Sequence, residues 1–161
     1  TDGPALLTVL GGKLTTYRRL ASEAVSQLRP VIGGTERDWT GTTPLPGGDF
    51  AERDFAAFLS EVQQRWPWLP GSLARHLARN YSTRIERIIG DAHTLEHLGE
   101  CLGAELYAAE LAYLMDQEWA MTAEDVLWRR TKLGLHLEPN EQAAVERWMA
   151  EHASRGITAT D

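Results

Sequence analysis

Between residues 30 and 48 this chain places Pro30, Gly33, Gly34, Gly41, Pro44, Pro46, Gly47 and Gly48. Proline removes a backbone donor and fixes φ, and glycine weakens any regular element, so no helix or strand runs through this stretch. It is the strongest candidate boundary in the 161 residues. The chain is thereby expected to divide into three parts: residues 1–30, a linker over 31–48, and residues 49–158.

The first part begins with a compact apolar run, Leu6-Leu7-Thr8-Val9-Leu10, ending at Gly11-Gly12. Such a run reads as a short buried strand. Thr15 or Thr16 suits the N-cap of the next helix, where Tyr17, Leu20, Ala21, Ala24, Val25 and Leu28 recur at helical spacing until Pro30 stops it. A strand-turn-helix this near the first residue, which is Thr1 and not Met, is expected to be the severed arm of an α/β domain. The arm is also locally basic. Lys13, Arg18, Arg19 and Arg29 face only Asp2 and Glu23 there, although the chain as a whole carries a net charge of −7.

From Asp49 onward the pattern is helical. Phe50 to Trp66 has Phe55, Phe58, Leu59 and Val62 on one face, and Pro67 ends it. Pro70 suits the first turn of a helix through Leu73, His76 and Leu77. Thr83 with Glu86 predicts a capping box before Ile85, Ile88 and Ile89, with Gly90 as the stop. Glu105–Trp119 carries Tyr107, Leu111 and Leu114 on one face. Thr122 with Asp125 predicts a second capping box, opening a helix through Val126 and Leu127 to Gly134. Pro139 starts a last helix with Val145, Trp148 and Met149 inward. The expected fold is mainly α: a helical bundle preceded by the severed strand-turn-helix.

Composition narrows the function. The acidic balance disfavours nucleic-acid binding, no run approaches the roughly 18 apolar residues of a membrane span, and Cys101 stands alone without an intrachain disulfide partner. Gly11-Gly12-Lys13-Leu14-Thr15-Thr16 is the chemical feature. Two glycines admit a ligand to the backbone, the N–H groups at a helix start are free donors, and Lys13 adds a cation. The ordinary alternative is a bare turn. His93-Thr94-Leu95-Glu96-His97 fits an H-x-x-E-H spacing, but the helix around it is short and no outside ligand is evident, so no metal is expected. Trp128-Arg129-Arg130-Thr131-Lys132 is a basic cluster that suits docking on a domain, a partner or an anionic lipid surface. Its ordinary alternative is Arg130 paired with a helix carboxylate and Arg129 and Lys132 in solvent. Six tryptophans are many for this length, and any that is exposed would mark a docking surface.

Leu6 to Arg18 closely resembles the last strand, turn and helix of the flavin domain in FAD-dependent glycerol-3-phosphate dehydrogenases and the related α-glycerophosphate oxidases. Leu45-Pro46-Gly47-Gly48, Leu73-Ala74-Arg75-His76 through Tyr81-Ser82, Glu105-Leu106-Tyr107 with Glu110-Leu111, and Asp125 through Gly134 resemble that family's later signatures, in the right order over essentially the whole chain. The resemblance implies oxidation of glycerol 3-phosphate to dihydroxyacetone phosphate, with electrons passing through FAD to a quinone, or to oxygen in the oxidases. It implies a flavin domain upstream, a homodimer, and peripheral attachment to the cytoplasmic face of an inner membrane. Lys13 matches the family's active-site lysine. Gly12, Lys13 and Leu14 would lie near the flavin's pyrimidine edge and Gly11 would also bind the cofactor, with Thr15 and Thr16 capping the helix and completing the hydrogen bonding and Arg18 structural. The chain alone is expected to be inactive. A different reading makes residues 49–158 a helical docking module without chemistry of its own.

Overall fold

The computed structural model describes residues 3–34, 39–50 and 54–153. The chain divides into two compact units, Thr1–Leu45 and Pro46–Asp161. Every buried hydrophobic side chain among the described residues lies between Phe58 and Met149, inside the second unit.

In the first unit the expected strand is absent. Residues 4–13 have no regular structure, and no strand occurs among the described residues. The fold class is therefore helical throughout, and no strand-turn-helix precedes the bundle. The cause is non-local. A strand exists only when a neighbouring chain segment completes its hydrogen-bond ladder, and here none does. Leu6 and Leu10 are 89% and 91% exposed, the opposite of a buried run. Gly11 and Gly12 do turn the chain, at φ 79° and 125°. A 3-10 turn, Leu14–Thr16, then leads into α1, Tyr17–Ile32. Thr16 occupies the N-cap of α1, but its hydroxyl does not cap it; Oγ1 donates to the Lys13 carbonyl at 3.1 Å instead. Pro30 does not stop the helix either. It sits in the last turn, where its missing N–H costs one hydrogen bond and its fixed φ is helical. Termination falls to Gly33, at φ 71°, whose N–H reaches the Arg29 carbonyl at 2.9 Å. No α1 residue is buried.

The second unit starts at α2, Phe55–Arg65. Asp54 caps it, its Oδ1 accepting the Ala56 and Ala57 N–H groups at 2.9 and 3.4 Å. The expected start at Phe50 and the expected domain end at residue 158 involve residues 51–53 and 154–158, which lie outside the described residues. Pro67 comes just after the end of α2, and Pro70 is the N-cap of α3, Gly71–Tyr81. The two helices pack through Phe58, Leu59 and Val62 against Leu73, Ala74 and Leu77. The expected Thr83–Glu86 box does not form. Thr83 donates to the Asp49 carboxylate, lowering the Asp49 pKa, and Glu86 pairs with Arg65. The short helix α4, Ile85–Ile89, has Arg84 at its N-cap position without a side-chain cap and ends at Gly90.

α5 runs from Ala108 to Glu118, three residues later than the periodicity suggests. Ala104 and Glu105 take positive φ, 44° and 61°, and a β-bridge between Cys101 and Tyr107 closes a tight turn ahead of the helix. The Thr122–Asp125 box is present: the Asp125 carboxylate accepts the Thr122 N–H at 3.0 Å, and the Thr122 hydroxyl accepts the Asp125 N–H at 3.2 Å. The box opens a π-helical segment, Asp125–Arg130, in place of an α-helix. Beyond it Trp128 lies against Gly134, where a Cβ would meet the indole at 2.6 Å. α6, Pro139–His152, closes the core with Val145 and Met149.

Leu111 is fully buried at the centre of this core. Truncation there removes methylenes and leaves a cavity, so Leu111→Ala is expected to destabilise the chain by about 3 kcal/mol in urea unfolding. Leu10→Ala, at an exposed position, is expected to change stability by less than about 0.5 kcal/mol. Equal effects would contradict the division into a packed and an unpacked unit.

Candidate functional site

The residues singled out by sequence stand on one exposed turn of the first unit. Gly11, Gly12, Lys13, Leu14, Thr15 and Thr16 are all exposed. Gly12 owes its place to two things: its φ lies in the region that favours glycine, and a Cβ there would meet Leu20 Cδ2 at 3.0 Å. Lys13 is extended and holds the 3-10 turn through its carbonyl, which accepts both the backbone N–H and the hydroxyl of Thr16. The turn therefore presents backbone and an ammonium to solvent at the start of a helix, where the peptide dipoles favour an anion. Arg18 faces the 39–43 turn and donates to Thr40 Oγ1 at 3.4 Å, as a structural residue would.

The H-x-x-E-H residues fall on a short turn and the loop ahead of it. Leu95–Leu98 is a 3-10 turn, the His93 N–H donates to His97 Nδ1 at 3.2 Å, and the rings stand 6.5 Å apart. Among the described residues no group of three or more His, Cys, Asp or Glu side chains is arranged to hold a metal ion.

The basic cluster is largely satisfied from within. Arg129 bridges Glu124 and Asp125 at 2.8 Å each, although its sequence neighbourhood suggests a solvated side chain. Arg130 donates to the Glu118 carbonyl at 2.9 and 3.2 Å, covering the carboxyl end of α5, and Lys132 reaches the Trp128 carbonyl. Around these cations Trp119 and Met121 are 83% and 79% exposed, whereas Trp66, Trp68 and Trp148 pack on the core. No helix among the described residues is long and apolar enough to cross a membrane.

The most unusual electrostatic feature is elsewhere. Glu110, on α5, is 1% exposed, the one charged side chain buried among the described residues. Tyr81 donates to its Oε1 at 2.6 Å, and His76 Nε2 lies 2.9 and 3.1 Å from its two oxygens. Burial acts most strongly on His76 and lowers its pKa, yet the hydrogen bond and charge of Glu110, with the charge of Glu105, outweigh it and raise the pKa above 6.5. Burial and the Glu110 charge push the Tyr81 phenol well above its usual 10. A carboxylate in the apolar stripe Tyr107–Leu111–Leu114 is the sequence signal for this site. Its partners lie 29 and 34 residues away and have no local signature.

Comparison with known proteins supplies the family. Residues 39–155 match the family described as the C-terminal domain of alpha-glycerophosphate oxidase. The chain is 44% identical to the aerobic glycerol-3-phosphate dehydrogenase of Escherichia coli over 153 residues, covering 95% of this chain and 30% of that protein. It is 44% identical to the glycerol-3-phosphate dehydrogenase of Pseudomonas aeruginosa, over 94% of this chain and 30% of that protein. It is 42% identical to the D-erythritol 1-phosphate dehydrogenase of Brucella abortus, over 92% of this chain and 30% of that protein. The chain thus spans about 30% of the length of these relatives. It belongs to the FAD-dependent glycerol-3-phosphate dehydrogenase and α-glycerophosphate oxidase family, and it corresponds to the C-terminal part of that family.

Proposed function

We propose that this chain serves as the C-terminal part of a flavoenzyme that oxidises sn-glycerol 3-phosphate to dihydroxyacetone phosphate and delivers the electrons through FAD to a quinone. The observation that carries this reading is the 44% identity to the aerobic dehydrogenase over 95% of the chain. FAD, when bound, supplies the two-electron acceptor for the secondary alcohol of the substrate. The residues here fit one edge of such a group and no more of it. The glycine turn is open to close approach, and it stands at a helix start beside an ammonium. The bulk of a flavin site has to come from other residues of the full-length protein.

Within this reading Lys13 is the catalytic residue. Its ammonium would stabilise negative charge on a flavin edge or substrate oxygen held beside it, and the N–H groups of Gly12 and Leu14 would do the same from the backbone. Gly11 lets the chain turn, and Thr15 contributes hydrogen bonding. Thr16 acts one step back, by holding the Lys13 carbonyl and so the direction of the turn. None of these six residues carries a carboxylate or an imidazole, so this reading assigns the general base to the remainder of the protein.

The helical unit takes a non-catalytic part. We read residues 49–158 as a domain that docks on the flavin domain, with residues 1–30 as the arm that reaches it through the linker at 31–48. No α1 side chain is buried, which supports an arm that needs a covering partner. A homodimer and peripheral attachment at the cytoplasmic face of the inner membrane complete the proposal. Two specific observations favour variants of it: the match to an oxidase family domain favours oxygen as acceptor, and the 42% identity to the erythritol phosphate enzyme favours a longer polyol phosphate as substrate.

In the full-length protein, Lys13→Ala is expected to lower kcat on glycerol 3-phosphate by about 10²-fold while leaving the melting temperature unchanged. Unaltered steady-state kinetics would remove Lys13 from the mechanism. The same assay with erythritol 1-phosphate and with a quinone analogue or oxygen ranks the substrates and acceptors. His93→Ala is expected to leave turnover unchanged; a large loss would restore the histidine pair as a site.

A further inference from the structure

We propose that His76, Glu110 and Tyr81 form a proton-linked latch that fastens α3 to α5, tightest when His76 is protonated and loosened when it is not. A buried carboxylate must be hydrogen-bonded to be tolerated, and both partners of Glu110 come from the facing helix. Tyr81 donates to Oε1, and His76 Nε2 sits within reach of both oxygens. The far ring nitrogen, Nδ1, lies 3.2 Å from Asn80 Nδ2. With a neutral ring, Nε2–H donates to Glu110 and Nδ1 accepts from the Asn80 amide. With a charged ring both nitrogens donate, the Glu110 contact becomes an ion pair in a low-dielectric setting, and Asn80 has to present its oxygen. The His76 side chain keeps 17% of its surface exposed, so a proton from solvent reaches it without unfolding.

The carboxylates that bear on the ring favour its protonated form. Glu110 faces it from α5, and Glu105 faces it from the turn ahead of α5, where it also accepts the Ser72 hydroxyl at 2.6 Å. On α3 itself Asn80 and Tyr81 are uncharged at neutral pH, while Arg75 and Arg79 flank His76 in sequence; Arg79 lies over the Phe55 ring at 5.9 Å. Further along the seam, Tyr81 meets Tyr113 edge-on at 5.3 Å, Arg84 donates to the Tyr113 hydroxyl, and Arg87 donates to Gln117 at 2.9 Å. Glu118 bears on Tyr81 and Tyr113 and adds to the negative field. The latch therefore continues as a polar seam from α3 across α5 to α4.

The direction of the effect is set by the His76 pKa, which is raised in the folded chain. A raised pKa means that the folded state binds the proton more tightly. The stabilisation is complete below the unfolded value of about 6.5 and is lost as pH rises through the folded value. The test is a proton NMR titration of the His76 ring in the 161-residue chain, its resonance assigned by loss in His76→Gln. Thermal unfolding and amide exchange in α3 and α5 are monitored over the same pH range. We expect a midpoint above 6.5, a melting temperature that falls as pH rises through that midpoint, and loss of that fall in His76→Gln. Tyr81→Phe, which keeps the imidazole but removes one donor to Glu110, is expected to raise the His76 midpoint further. A midpoint at or below 6.5, or a His76→Gln variant with the wild-type pH dependence, would overturn the latch.

Discussion

The carboxylate of Glu110 occupies a position on α5 where the helical stripe otherwise holds Tyr107, Leu111 and Leu114, and it is buried with its hydrogen-bond partners supplied by α3. An ion in an apolar interior is costly unless hydrogen-bonded. Two side chains of α3, Tyr81 and His76, both reach this one carboxylate and link α3 to α5 through it. Leu73, Leu77, Ile85, Leu111, Leu114 and Val126 are all buried members of the same core.

The first unit is built on a different principle. Its helix is amphipathic, but none of its side chains is buried, and the glycine turn ahead of it lies open. Such a segment is suited to completing a surface supplied by other residues. This underlies the proposed division of labour: the helical unit folds around its own core, while the turn that carries Lys13 contributes a helix start, two glycines and an ammonium to a shared site. The basic cluster at Arg129 and Arg130 is mostly consumed by Glu118, Glu124 and Asp125. The exposed feature near that cluster is instead apolar, in Trp119 and Met121.

Legibility in the sequence tracks the range of the interaction. Pro67, Pro70 and Pro139 mark helix boundaries because their sterics act on adjacent residues, and the Thr122–Asp125 box is read correctly because both partners lie within one turn. Leu6–Leu10 misleads because an apolar run does not contain its own ladder partner. Thr83 misleads because Asp49, 34 residues away, competes for its hydroxyl. The late start of α5 reflects positive φ at Ala104 and Glu105, and neither residue type announces that conformation. At the candidate site the glycine turn is legible in Gly11-Gly12. The roles proposed for its residues come from resemblance, because an exposed turn carries no local signature of what it binds.

The proposed role is tested most directly by adding sn-glycerol 3-phosphate anaerobically to the purified full-length protein and monitoring its visible absorbance. The proposal predicts a yellow protein whose flavin band bleaches on substrate addition and returns with a quinone analogue. A full-length protein without flavin, or one whose flavin is not reduced by any polyol phosphate, would contradict it.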